Sequence, residues 1–153
     1  MARSTLTDPL PRQAILMADD DDDDVYVARR AFAKAEIANP FYRVSDGGEL
    51  LDYLHRRGEY ADPAVAPRPG LILLDLNMPG MDGREALTRI KNDPGLRRIP
   101  LVIFTTSSDA ADVTESYDRG ANSYIAKPVG MAGMVQAAIT IQNYWFGLVS
   151  RAG

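Results

Sequence analysis

"LILLDLNMPGMDG" (71–83) decides how this chain is built. Leu71 to Leu74 are apolar without a break. So short and so apolar a run suits a strand covered on both faces, as in a parallel sheet. The run ends on an acid, Asp75. Pro79, Gly80 and the pair Asp82-Gly83 then make a turn-rich loop. Ala86, Leu87 and Ile90 follow at helical spacing and predict a helix over about 83–92. Strand, loop and helix form one βα unit.

The same pattern repeats on both sides. "AILMA" (14–18) and "FYRVS" (41–45) precede it, and "PLVIFT" (100–105) and "SYIAK" (123–127) follow, all reading as strands. Helical patterns lie between them at about 24–36, 47–57 and 110–119, with a last and longest one from 131 into the high 140s. Five βα units in sequence predict an α/β domain, a doubly wound five-stranded parallel sheet with right-handed crossovers. The irregular "GEYADPAVAPRPG" (58–70) predicts a Pro-rich surface loop. Residues 1–12 read as a flexible lead, 13–149 as the domain, and no output domain is expected.

Bulk properties narrow the chemistry. The chain has 153 residues, 46% hydrophobic and 25% charged, with net charge −4. That balance argues against nucleic-acid or anionic-membrane binding. With no cysteine there is no disulfide or thiolate chemistry. A single histidine, His55, gives a zinc site or a Ser-His triad little to build with, and it reads as a solvated helix residue. No apolar run approaches the ~20 residues of a membrane span, and the N-terminus lacks a signal core. A soluble, cytoplasmic protein is expected.

In open parallel sheets ligands bind at the carboxyl ends of strands. Asp19 and Asp20 follow the first strand, Asp75 ends the third, Thr105 the fourth and Lys127 the fifth. Clustered carboxylates raise one another's pKa, and a hard divalent cation removes the penalty. Magnesium suits such a rim, because it takes one or two carboxylates and keeps several waters. Six aspartates, Asp19 to Asp24, run together here. Asp19 and Asp20 are read as facing the metal. Asp22 to Asp24 are read as lead-in to the first helix, where Asp caps well and complements the dipole; a solvated loop is the simpler account of Asp21 to Asp24. A calcium EF-hand fails, since its sixth and twelfth positions would be Asp24 and Arg30 instead of Gly and Glu.

These stretches resemble the receiver domains of two-component response regulators: the acidic pair Asp19-Asp20, "LILLDLNMPGMDG", "IPLVIFTTSS" (99–108) and "GANSYIAKP" (120–128). Thr105 lies 30 residues after Asp75, and Lys127 lies 22 after Thr105, as in that family. The likeness covers about residues 14–146 and implies the flavodoxin-like strand order 2-1-3-4-5. "YLHRRGEY" (53–60), "DPGLRRIPLVIFTTSS" (93–108) and "NYWFGLV" (143–149) further resemble single-domain regulators that serve bacterial phytochromes.

The resemblance implies roles. Asp75 would accept a phosphoryl group from a sensor histidine kinase, a bacteriophytochrome by the narrower likeness. Asp20, Asp75 and the carbonyl of Asn77 would ligate Mg²⁺, with Asp19 acting through water. Thr105 and Lys127 would contact the phosphoryl oxygens, Thr105 and Tyr124 would form the switch, and Pro128 would follow a cis peptide. The alternatives are an intermediate or phosphate sink in a phosphorelay and, from another class, an aspartate-nucleophile phosphatase. The phosphatase is disfavoured, because Asn77 stands where its general acid would be.

The last helix is too apolar for one buried face. Met134, Ala138, Ile141, Trp145 and Leu148 make one stripe, and Val135, Ile139, Phe146 and Val149 a second, with Tyr144 outside both. The surplus at Tyr144, Trp145, Phe146, Leu148 and Val149 predicts an exposed patch and a two-fold homodimer through the face of helix four, strand five and helix five.

Overall fold

A computed structural model describes residues 13–148. The elements run β1 (Ala14–Ala18), α1 (Asp22–Lys34), β2 (Phe41–Val44), α2 (Gly47–His55), β3 (Pro69–Leu74), α3 (Gly83–Lys91), β4 (Leu101–Thr105), α4 (Ala110–Asp118), β5 (Ser123–Ala126) and α5 (Gly130–Gln142). One 3₁₀ turn, Gly58–Tyr60, interrupts the loop before β3. All four strand pairings are parallel, in the order β2-β1-β3-β4-β5. The doubly wound sheet expected from the sequence is borne out.

Alternation along the central strands divides the core. Leu16, Ile72, Leu74, Leu101 and Ile103 face Leu50, Leu51, Leu87 and Ile90 of α2 and α3. Ile15, Met17, Leu71, Leu73, Val102 and Phe104 face Val25, Ala28 and Phe32 of α1 and Met134, Ala138 and Ile141 of α5. Helices on both faces explain why these strands are apolar at every position.

Helices α1 to α4 begin at acids, and α5 follows Val129 without a side-chain cap. Asp21, Asp46, Asp82 and Asp109 are N-caps whose side chains accept backbone N–H groups of the first turn. The first corrects the sequence reading of the aspartate run. Asp21 is the cap, and Asp22 to Asp24 form the first turn itself.

Beyond Gln142 the chain continues as a π-helical turn, Asn143–Leu148. The first stripe read from the sequence is the buried one: Met134, Ala138, Ile141 and Trp145 all lie in the α1–α5 core. Trp145 is only 8% exposed, so the exposed patch expected at the chain end does not include it. Phe146 packs partly against the same cluster, while Tyr144 is exposed. The physical reason is spacing: Trp145 follows Ile141 by four residues, on the helix face that Met134, Ala138 and Ile141 already bury. The side chain of Leu148, and Val149, lie outside the described residues. Trp145→Ala should therefore cost ~3–5 kcal/mol of folding stability. Urea denaturation measures it; a loss under about 1 kcal/mol would mean that Trp145 is not a core residue.

Candidate functional site

The ladder runs one step past the strand ends and sets out the site. Asp19 N–H bonds Val44 O (3.0 Å), Asp75 N–H bonds Ala18 O (3.0 Å), and Lys127 N–H bonds Thr105 O (2.7 Å). Asp19, Asp75, Thr105 and Lys127 therefore stand side by side on the carboxyl edge, as expected from the sequence. Asp75 sits nearly buried at their centre, 8% exposed. Its Oδ1 accepts the Thr105 hydroxyl at 2.7 Å and the Asn77 N–H at 3.3 Å. Its Oδ2 accepts from Lys127 Nζ at 3.1 Å.

The loop after Asp75 closes on itself through a glycine. Gly83 N–H bonds Leu76 O at 2.9 Å. A β-carbon at Gly83 would lie 2.1 Å from the carbonyl oxygen of Asp75. Only a residue without a side chain lets α3 start so close to the end of β3.

Lys127 is the pivot of the charges. Its side chain is 4% exposed, and Nζ lies 2.6 Å from Asp19 Oδ2, 2.8 Å from Asp24 Oδ2 and 3.1 Å from Asp75 Oδ2. Burial alone favours the neutral amine, but the Asp19 and Asp24 carboxylates set against it hold the ammonium far above its ordinary range. Asp24 was not singled out by the sequence reading. Nothing in a run of six identical acids marks which one faces a lysine on a distant strand.

Asp19 is fully buried, and its burial raises its carboxyl above the usual range while Lys127 pulls it down. Its Oδ2 accepts no hydrogen bond of good geometry, although Lys127 Nζ lies 2.6 Å away. The contact is an ion pair, off the line of a hydrogen bond. Asp19, Asp20 and Asp75 each offer a carboxylate oxygen within 4.8 Å of the others. An underused buried oxygen in an all-oxygen set fits a hard divalent cation. Lys127 does not cancel the cluster, since Asp19, Asp20, Asp24 and Asp75 outnumber it. Nearby, Arg43 bonds Asp22 Oδ1 through NH1 (2.9 Å) and Asp19 O through Nε (2.9 Å), tying β2 to the acidic loop.

Two further expectations can be placed. Tyr124 is half-buried against the α2–α3 core, and its hydroxyl donates to Ser107 O at 2.8 Å. No peptide among the described residues is cis, so Lys127–Pro128 is trans, contrary to the expectation drawn from the resemblance. In this backbone Lys127 already reaches Asp75 from β5, with its N–H on Thr105 O.

Comparison with known proteins places this edge. The family described as "Response regulator receiver domain" matches residues 15–139. This chain belongs to the response regulator receiver domain family. The response regulator Rcp1 of Synechocystis sp. is 35% identical over 140 residues, covering 92% of this chain and 93% of Rcp1. The crystal structure of the phosphorylated cyanobacterial phytochrome response regulator RcpA superposes with a TM-score of 0.85 at 37% identity, covering 93% of this chain and 99% of RcpA. The Mn²⁺-bound form of Rcp1 gives a TM-score of 0.81 at 34% identity, covering 92% and 99%. The expected likeness to phytochrome-associated regulators is borne out. The family is one of signalling proteins. Among the described residues no helix is long and apolar enough to cross a membrane.

Proposed function

We propose that this chain is a response regulator that takes up a phosphoryl group on Asp75 from the phosphohistidine of a sensor histidine kinase, in a Mg²⁺-dependent reaction, and signals by protein contacts. The observation that carries the reading is Asp75 itself, a nearly buried carboxylate held at once by a hydroxyl, a backbone N–H and an ammonium. A carboxylate oxygen of Asp75 bonds to phosphorus, the P–N bond breaks, and the imidazole leaves with the electron pair. Such transfer needs positioning and charge stabilisation more than a strong base. Thr105 and the Asn77 N–H orient the nucleophile. Lys127 stands where it can follow the charge from carboxylate to phosphoryl. A divalent cation on Asp19, Asp20, Asp75 and the Asn77 carbonyl would neutralise charge on the phosphoryl oxygens.

Likeness to RcpA supports a phytochrome-type kinase as the donor, and likeness to Rcp1 over most of both chains supports signalling through contacts of the receiver domain. Both fit a cytoplasmic protein. For assembly we retain the two-fold homodimer through α4, β5 and α5. Tyr117 and Tyr144 are 48% and 49% exposed there and line a cleft of about 260 Å³ with Tyr124 and Trp145. Thr105 and Tyr124 would relay phosphorylation to this face.

Intact-mass spectrometry after incubation with phosphoramidate tests the reading. One phosphoryl group per chain is expected with Mg²⁺ and none with a chelator. Asp20→Asn should weaken Mg²⁺ binding, measured by calorimetry, by ~10-fold or more, while Asp23→Asn should leave it near wild type. Equal losses from both would reduce the cation site to a diffuse ion cloud.

A further inference from the structure

Of the three carboxylates on Lys127, only Asp19 and Asp75 belong to the acceptor and cation cluster. Asp24 does not. Its Oδ2 nevertheless lies 2.8 Å from Nζ, nearer than that of Asp75 at 3.1 Å. An ammonium has three protons: Asp24 and Asp75 accept one each, and Asp19 Oδ2 crowds the third side at 2.6 Å, off the line of a hydrogen bond. A phosphoryl group on Asp75 would bring new oxygens that Lys127 must serve, so a present partner has to yield. Asp19 and Asp75 are fixed at strand ends. Asp24 sits in the first turn of α1, with its N–H on the cap Asp21 at 3.1 Å and its side chain 36% exposed, so water can take the place of the lysine.

We propose that Asp24 is a positioning residue that holds the Lys127 ammonium back from Asp75 and so sets how fast Asp75 takes up a phosphoryl group. The proposal rests on the phosphoacceptor reading above. Asp24 also places a negative charge beside the path of an incoming phosphoryl group, and both effects act in the same direction. The plain alternative is a staple joining the N-terminus of α1 to the end of β5, with no bearing on the chemistry.

The test measures uptake from phosphoramidate at saturating Mg²⁺ by wild type, Asp24→Asn and Asp23→Asn. Asp24→Asn should react ~3- to 10-fold faster, the effect of one partly screened unit charge beside the reacting group. Asp23→Asn, which removes the same charge from the same turn, should stay within about twofold. In ¹⁵N-lysine spectra the Lys127 ammonium signal should shift in Asp24→Asn and not in Asp23→Asn. An Asp24→Asn protein with a lower unfolding midpoint but unchanged uptake would show a staple and overturn the proposal. Equal acceleration in both variants would overturn it too, since the effect would then belong to bulk charge. If wild type takes up nothing, the phosphoacceptor reading falls first and this proposal with it.

Discussion

Asp75→Asn should take up no phosphoryl group, a loss of at least ~1,000-fold, because on the proposed reading it removes the nucleophile itself. The expected clarity of this result comes from the geometry. An asparagine amide oxygen at this place can still accept from the Thr105 hydroxyl and the Asn77 N–H, which bond the single oxygen Oδ1 in the wild type. The edge should keep its shape, with Lys127 retained by Asp19 and Asp24. Circular dichroism should therefore be unchanged while mass spectrometry shows no adduct. Wild-type labelling in this variant would remove Asp75 from its proposed role; labelling displaced to Asp19 or Asp20 would have the same consequence.

Gly83→Ala is expected to harm the fold about as much as the loss of Trp145. Helix propensity alone predicts a gain of up to ~1 kcal/mol, since Gly83 is the first residue of α3 and alanine favours helices. Sterics reverse the sign. The added carbon would meet Asp75 O at 2.1 Å and Leu76 Cα at 2.8 Å, both backbone atoms that cannot swing away. The strand end and the helix start would have to separate, and the loss should be about 3–5 kcal/mol. Asp75 would move with them, so phosphoryl uptake should fall along with stability. A denaturation midpoint at or above the wild-type value would refute the close approach.

Much of this molecule could be read from its residues. The five strands were placed to within two residues at each end, because burial on both faces leaves apolar runs that few other structures require. The positions of Asp19, Asp75, Thr105 and Lys127 followed from strand ends alone. Three features could not be read that way. The helix start within Asp19–Asp24 depends on which acid turns back to cap, and identical residues carry no sign of it. Asp24 meets Lys127 across 103 positions of chain, a contact set by how α1 lies beside β5. The isomer before Pro128 is not encoded in local pattern, and the resemblance pointed the wrong way.

The chain end carries a last consequence. Because Trp145 sits in the α1–α5 core, folding and the proposed association would share one side chain. A partner that grips the outer flank at Tyr144 leaves that seat filled. A partner that draws Trp145 out must overcome ~3–5 kcal/mol, which weakens its apparent affinity by about 100- to 4,000-fold. Recognition at this end is thereby filtered. Shallow docking is favoured at low concentration, and domain-swapped or unwound forms are suppressed until the protein is crowded or its core is loosened. Cutting the chain after Gln142 removes the filter and the core residue together, so a shortened protein that changes its oligomeric state reports on folding as much as on contact.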